Sequence, residues 1–269
     1  MPALELLFLI ALTGSLAGVL SGLLGVGGGI ILVPGLYTIF TLGGYTPPDL
    51  MHLCVGTSLA IIIPTGLTSA RGHWRRGAVD RQALGKIAPY LVLGVMAGSY
   101  AITRISGESL TVFFAGMLCV IAALMQVDPE KHRLRDALPR QPEPAIVAGI
   151  VGIISTLMGI GGASLNVPYM AANGMSIHRA VGTASAMGPV IALPAVAGFI
   201  WAGWGAEGLP PYSLGYINLA AFAVIIPVSM LCAPLGVRLA HRFSKKTLRR
   251  CFSFFMVLVA VKMMLSALS

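Results

Sequence analysis

Residues 22–34 read GLLGVGGGIILVP, and residues 156–168 read TLMGIGGASLNVP. Gly25, Gly27, Gly28 and Gly29 align with Gly159, Gly161, Gly162 and Ala163 at a constant spacing of 134, and Val33-Pro34 aligns with Val167-Pro168. Each glycine costs about 1 kcal/mol against alanine in a helix interior, so both runs are expected to break a helix. In a bilayer such a break persists only where protein or water covers its freed amides and carbonyls. Two breaks in corresponding positions of two halves are the pattern of a secondary transporter's binding site. A helix starting just after each break would carry about half a positive charge and several free N–H donors at its first turn. That chemistry suits a small anion.

Other polar residues fall near the breaks. His52-Leu-Cys-Val55-Gly56-Thr57 aligns with His178-Arg-Ala-Val181-Gly182-Thr183, 126 positions on. The hydroxyls of Thr57, Ser58, Thr183 and Ser185 could hold substrate oxygens or bond back to their own helices. His52 and His178 precede apolar runs, where they are read either as interfacial caps or as candidate gate or proton sites. Asn166 replaces Leu32 of the first copy, and an amide at that depth needs a partner. Lys262 lies seven residues from the end of the sequence and is expected to turn outward.

What is missing narrows the chemistry. The acids are Glu5, Asp49, Asp80, Glu108, Asp128, Glu130, Asp136, Glu143 and Glu207, all in expected loops or at helix ends. Cation carriers and many proton-coupled carriers place such a group inside the membrane. Neither knot is a dinucleotide loop, since Ile30 and Ser164 stand where a third spaced glycine is required, and no phosphate-loop, zinc-protease or nucleophile-elbow motif occurs. Cys54, Cys119, Cys232 and Cys251 are scattered without metal-ligand spacing and are expected to be core residues. An enzyme, a cofactor and a metal are therefore not expected.

The elements that must position these residues are membrane spans. With 57% hydrophobic and 10% charged residues and a mean hydropathy of +0.87, the chain has more apolar surface than a water-soluble fold can hide. No charged residue occurs in 6–48, 50–70, 87–103, 109–127, 144–178, 180–206 or 208–237. Full spans are expected near 51–70, 86–104, 109–127, 180–200, 214–237 and 250–268. Helices over 30–43 and 164–173 would be about 21 and 15 Å long, too short to cross a hydrocarbon core of about 30 Å. Each half therefore begins with a broken or re-entrant hairpin, giving an all-α polytopic membrane protein of eight to ten helical segments.

The net charge of +9 reflects membrane orientation and not nucleic-acid binding. Its basic clusters at 71–86 and 238–250 mark cytoplasmic loops. The loop near 201–213 corresponds to 71–86 but carries Glu207 and no Lys or Arg, while the sparse turn 104–108 corresponds to the basic 242–246. Opposite bias in matched loops implies repeats of inverted topology. The first transmembrane repeat is placed at 1–126, a cytoplasmic linker mixing four acids with four Lys/Arg at 127–143, and the second repeat at 144–269. Both termini should lie outside the cytoplasm of a multi-pass protein in the plasma (inner) membrane.

The motifs G-x-G-G-G-x-x-x-V-P and G-x-G-G-A-x-x-x-V-P, with the two H-x-x-V-G-T segments, resemble the TauE/SafE family of membrane permeases over essentially the whole chain. Ala163 departs from the glycine at the matching position. The resemblance implies transport of a small anion such as sulfite, a sulfonate or a carboxylate, and carries over to Gly25, Gly27, Gly28, Gly29 and Pro34 and to Gly159, Gly161, Gly162 and Pro168. An inside-negative potential drives a monovalent anion outward by about 2.3 kcal/mol per 100 mV, so export of sulfite or an organosulfonate such as sulfoacetate needs no coupling ion. Uptake, or movement of another anion such as lactate, would call for sodium or a proton. A membrane-embedded enzyme is the more distant alternative.

Overall fold

Charged and capping residues sit at the ends of apolar runs, and the runs between them are helical. A computed structural model describes residues 3–24, 28–126, 133–240 and 245–268. The first half comprises α1 (Ala3–Leu24), α2 (Gly29–Leu42), α3 (Leu50–Arg75), α4 (Arg81–Ile102) and α5 (Gly107–Leu124). The second comprises α6 (Glu143–Met158), α7 (Ala163–Ala172), α8 (Ile177–Ala202), α9 (Leu219–Ala240) and α10 (Lys245–Leu268). Before α9 a short antiparallel ribbon pairs β1 (Ser213–Leu214) with β2 (Ile217–Asn218). Among the described residues, six helical segments are long and apolar enough to cross a membrane, in α1, α3, α4, α5, α8 and α10. This is a multi-pass, mostly helical membrane architecture.

Each half opens with a helical hairpin around its glycine knot. The close of α2 returns to the start of α1, since Gly43 packs against Leu6 and Gly35 against the methyl of Thr13. The close of α7 returns to the start of α6, where the amides of Leu134 and Arg135, just before α6, donate to the Ala172 carbonyl. The two hairpins start from opposite faces. Asp49 meets Tyr216 and His52 meets Ile105, which places 45–50, 103–107 and 213–218 on one face, called here the ribbon face. Asp80, Ala137 and Arg179 share a cavity on the other, called the linker face.

The halves are interleaved. α1 packs along α9 and α6 along α4, in both cases through small residues. A Cβ on Gly18 would collide with the Ser229 carbonyl, and one on Gly152 with the Leu91 carbonyl. Gly18 and Gly152 are 134 positions apart, and Leu91 and Ser229 are 138 apart, so one backbone contact is made twice. Such close approach through glycine is how helices associate where lipid supplies no hydrophobic drive. At the centre α3 and α8 cross in antiparallel sense, with Gly56 near Phe199, Gly66 near Pro189, and Asp80, just past α3, bonded to Thr183.

Two sequence expectations need correction. The span expected to begin at 214 begins at Leu219, because Gly215 (φ 53°) and Tyr212 (φ 64°) turn the ribbon and the Asn218 side chain then accepts the Ala221 amide as a cap. The cysteines were expected in the core, yet only Cys54 is buried; Cys119 and Cys251 are exposed on the outer surface. In lipid that surface is as apolar as the core, so hydrophobic context does not tell the two apart. Lys262 is exposed, as expected, and its Nζ donates to Thr38 Oγ1 of α2 at 3.0 Å.

Candidate substrate site at the paired helix breaks

The second knot is a sharp reversal built from two left-handed residues. Gly159 ends α6 at φ 66°, ψ 34°, and Gly162 starts α7 at φ 72°, ψ −6°. A side chain at either position would be strained, which is why glycines are required there. The first knot is only partly described: Gly25 and Gly27 lie outside the described residues. Gly28 precedes α2 in a right-handed conformation (φ −71°), so the two knots differ locally.

The knots meet. Gly29 lies so close to the Gly159 carbonyl that a Cβ could not be inserted. Ser58 Oγ donates to that same carbonyl at 2.8 Å. A Cβ on Gly161 would reach Ile62 of α3 at 3.4 Å and Gly188 of α8 at 3.5 Å, so the second knot is wedged between these two helices. The start of α2, the second knot, α3 and α8 thus converge in the buried middle of the bundle.

Unpartnered donors surround the start of α7. Ser155, Ser164 and Asn166 are 0%, 7% and 1% exposed, and Ser155 Oγ, Ser164 Oγ and Asn166 Nδ2 have no hydrogen-bond partner. A Cβ on Gly162 would lie 3.1 Å from Asn166 Nδ2 and 3.2 Å from Ser155 Oγ, so both atoms flank the helix start. The first turn of α7 adds the amides of Ala163 and Ser164, which have no intrahelical acceptor. Pro168, inside α7, has no N–H to give the Ser164 carbonyl, as Pro34 has none for Ile30 in α2. Burying a donor without a partner costs about 1–3 kcal/mol, and this site carries three.

Other sequence candidates lie elsewhere. Thr57 and Thr183 do not join the Gly162 cluster: each Oγ1 accepts a backbone amide from the other half, of Asn218 and Asp80 respectively. Ser185 Oγ bonds back to Val181 in its own helix. The matched histidines differ. His52 is buried, with Nε2 3.1 Å from the Ile105 carbonyl and Nδ1 3.6 Å from Asp49 Oδ1, and its ring lies tilted by 32° with its centroid 5.1 Å from that of Tyr216. His178 is exposed on the opposite face. Tyr216 donates to Asp49 Oδ2 at 2.9 Å, and burial together with this carboxylate holds its hydroxyl well above the usual phenol range. Among the described residues no group of three His, Cys, Asp or Glu could hold a metal.

Sequence reasoning missed Ser155 and Ser164. The signal for Ser155 was present, since it aligns with Ser21 at the same spacing of 134 as the knots. Ser164 aligns with Ile30 and carried no such mark.

Comparison with known proteins decides the family. The model for the sulfite exporter TauE/SafE family matches residues 10–263. The chain belongs to the TauE/SafE family. A probable membrane transporter protein of Haemophilus influenzae is 33% identical over 260 residues, covering 96% of this chain and 98% of that protein. One from Methanocaldococcus jannaschii is 28% identical, covering 97% of each. A third, from Bacillus subtilis, is 27% identical, covering 90% of this chain and 93% of that protein. TauE/SafE members are membrane transporters and not enzymes.

Proposed function

We propose that this TauE/SafE chain is a secondary permease for small anions, exporting sulfite or an organosulfonate such as sulfoacetate by alternating access. The observation that carries this reading is the gathering of three unpartnered buried donors, Ser155, Ser164 and Asn166, at the first turn of α7. A helix start with free amides and uncommitted hydroxyl and amide donors favours an anion and has no carboxylate to favour a cation. The described acids sit at helix starts or in loops: Glu5, Glu108 and Glu143 in first turns, Asp49 and Asp80 at N-caps. The binding residues are taken to be these three together with Ser58, Gly28, Gly29, Gly159, Gly161 and Gly162, with Gly25 and Gly27 completing the first knot.

The same reading includes two repeats of inverted topology, 1–126 and 144–269, joined by the 127–143 linker. It is supported by the antiparallel crossing of α3 and α8, the hairpins starting from opposite faces, and the duplicated Gly18–Ser229 and Gly152–Leu91 contacts. With the basic 71–86 loop in the cytoplasm, the linker face is inner, and the described ends of α1 and α10 are outer. This puts both termini outside.

Flux in proteoliposomes tests the proposal. Sulfite, sulfoacetate and lactate are offered to the purified chain and to Gly162→Ala, with and without sodium. The expected result is saturable flux of at least one sulfur oxyanion without sodium, lost in a Gly162→Ala variant that remains folded. Flux of none of the three overturns the substrate class, and sodium-dependent uptake overturns uncoupled export.

A further inference from the structure

Each V-G-T triplet reaches out of its own half. On α3, a Cβ on Gly56 would collide with the Tyr216 carbonyl, and Thr57 Oγ1 accepts the Asn218 amide at 2.8 Å. On α8, a Cβ on Gly182 would come within 2.6 Å of the Ala78 carbonyl, and Thr183 Oγ1 accepts the Asp80 amide at 2.9 Å. Asn218 and Asp80 are 138 positions apart, as are Tyr216 and Ala78, so these are the same contact made twice. The two amides also belong to equivalent groups. Asp80 Oδ1 accepts the Gln82 and Ala83 amides at the start of α4, both at 3.0 Å, and Asn218 Oδ1 accepts the Ala221 amide at the start of α9 at 2.9 Å.

The division of labour within the triplet is clear. Glycine lets the central helix approach foreign backbone, and threonine then takes the N–H of the residue that begins a long helix in the other half. A hydroxyl serving only its own helix bonds four residues back, as Thr111 does to Gly107 and Ser185 to Val181. Both threonines are 0% exposed and act as acceptors for chain more than a hundred positions away.

We infer that Thr57 and Thr183 are the positioning residues of two gates, one on each face, and that transport releases one while the other stays made. This inference rests on the two-half transporter reading. The two contacts lie at opposite ends of the α3–α8 crossing, with the helix breaks between them. Opening a face separates a central helix from the opposite half, and the threonine bond must then lengthen. Both gates use one chemistry, a buried threonine hydroxyl accepting a helix-start amide, so either can be made while the other is released.

The gates are not identical. Beside Thr183, Asp80 Oδ2 pairs with Arg179 at 3.0 Å, with side chains 20% and 58% exposed, next to a cavity of about 320 Å³ that Ala137, Lys86 and Asn173 also line. Beside Thr57, the seam is covered by Tyr216 bonded to Asp49. The Asp80–Arg179 pair joins two opposite charges and is screened by salt, whereas the Tyr216–Asp49 bond has a neutral, buried donor and is screened less. The linker-face gate is therefore the salt-sensitive one.

Thiol accessibility of the full chain in liposomes tests this without substrate or flux. A background lacking Cys54, Cys119, Cys232 and Cys251 carries Ala83→Cys at one gate or Ala221→Cys at the other, positions that are 4% and 0% exposed with both gates made. Thr183→Val is expected to raise the labelling rate at 83 about tenfold and leave 221 unchanged, Thr57→Val to do the reverse, and serine at either threonine to restore the parent rate. Raising salt speeds labelling at 83 alone. Asp80→Asn keeps the cap and removes the ion pair, so it raises the rate at 83 and abolishes the salt effect; this arm decides the linker-face gate even where a valine variant fails to fold. A rise at both positions in one variant means general loosening and overturns the gates, as does no change in a folded variant. Failed flux with these patterns intact would sink the substrate reading and leave the gates standing.

Discussion

Asn166 is the residue whose removal separates a binding role from a structural one. A buried amide kept for stability is hydrogen-bonded, and losing it costs stability; Asn166 Nδ2 has no partner and so costs about 1–3 kcal/mol as it stands. The first half carries Leu32 at the matching position, also buried in a helix after a knot, so leucine suits this environment. Asn166→Leu is therefore expected to melt no lower than the parent protein. If the amide donates to the anion, its loss removes about 2 kcal/mol of binding, or about thirty-fold in KM. Thermal melting and flux kinetics on the same preparation check both halves of this expectation. A lower melting point with unchanged KM would make Asn166 a structural amide. Gly162→Ala differs in kind, because φ 72° strains any side chain by about 1–3 kcal/mol and the methyl would press on Ile191 Cδ1, Ser155 and Asn166. It is expected to lower both stability and flux.

At the scale of elements, glycines three residues apart on α6 should respond with opposite sign. A Cβ on Gly152 would strike the Leu91 carbonyl of α4, whereas one on Gly149 meets nothing within 4 Å. Gly149→Ala should raise stability by about 0.5–1 kcal/mol through helix propensity alone. Gly152→Ala must push α6 off α4 and should lower it by about 1–3 kcal/mol. Melting curves of the two variants read the difference directly, and equal shifts would mean the α4–α6 contact is looser than described. Much of this architecture was legible in the sequence. Helices expected at 30–43 and 164–173 are α2 (Gly29–Leu42) and α7 (Ala163–Ala172), because glycine knots and an absence of charge mark both ends. The 126 spacing of the two V-G-T segments is likewise that of the threonines in the paired inter-half contacts. The ribbon before α9 was not legible, since an apolar run such as YSLGYIN reads as the start of a span until Asn218 is seen to cap it. Nor was the role of the V-G-T threonines. Sequence gives the repeat of a hydroxyl but not the foreign amide it accepts, and Ser164, aligned with Ile30, became visible as a donor only once the α6–α7 reversal brought it near Ser155.

For the whole molecule, the distribution of charge sets the energetics of transport. Away from helix ends, the charged side chain among the described residues is Lys262, and it bonds Thr38 between α10 and α2 and not at the knots. An anion crossing such a bundle carries its own charge through the field without a protein group to neutralise it. Each 100 mV then contributes about 2.3 kcal/mol for a monovalent anion, equivalent to about fifty-fold in concentration at equilibrium. Proteoliposomes clamped at a series of potassium-diffusion potentials should therefore reach anion ratios that rise about fifty-fold per 100 mV, with no dependence on a sodium gradient. A divalent anion would square that factor. Coupling to a single proton would make monovalent transport electroneutral and flatten the slope to zero, and the group carrying the proton would be sought first at His52 or His178, since the acids of the described helices sit in first turns or at N-caps. Replacing each histidine with glutamine in that event would restore the potential dependence in one variant and identify the site. A full fifty-fold slope that survives both substitutions would leave the histidines as packing and interfacial residues, with the membrane potential as the sole driving force.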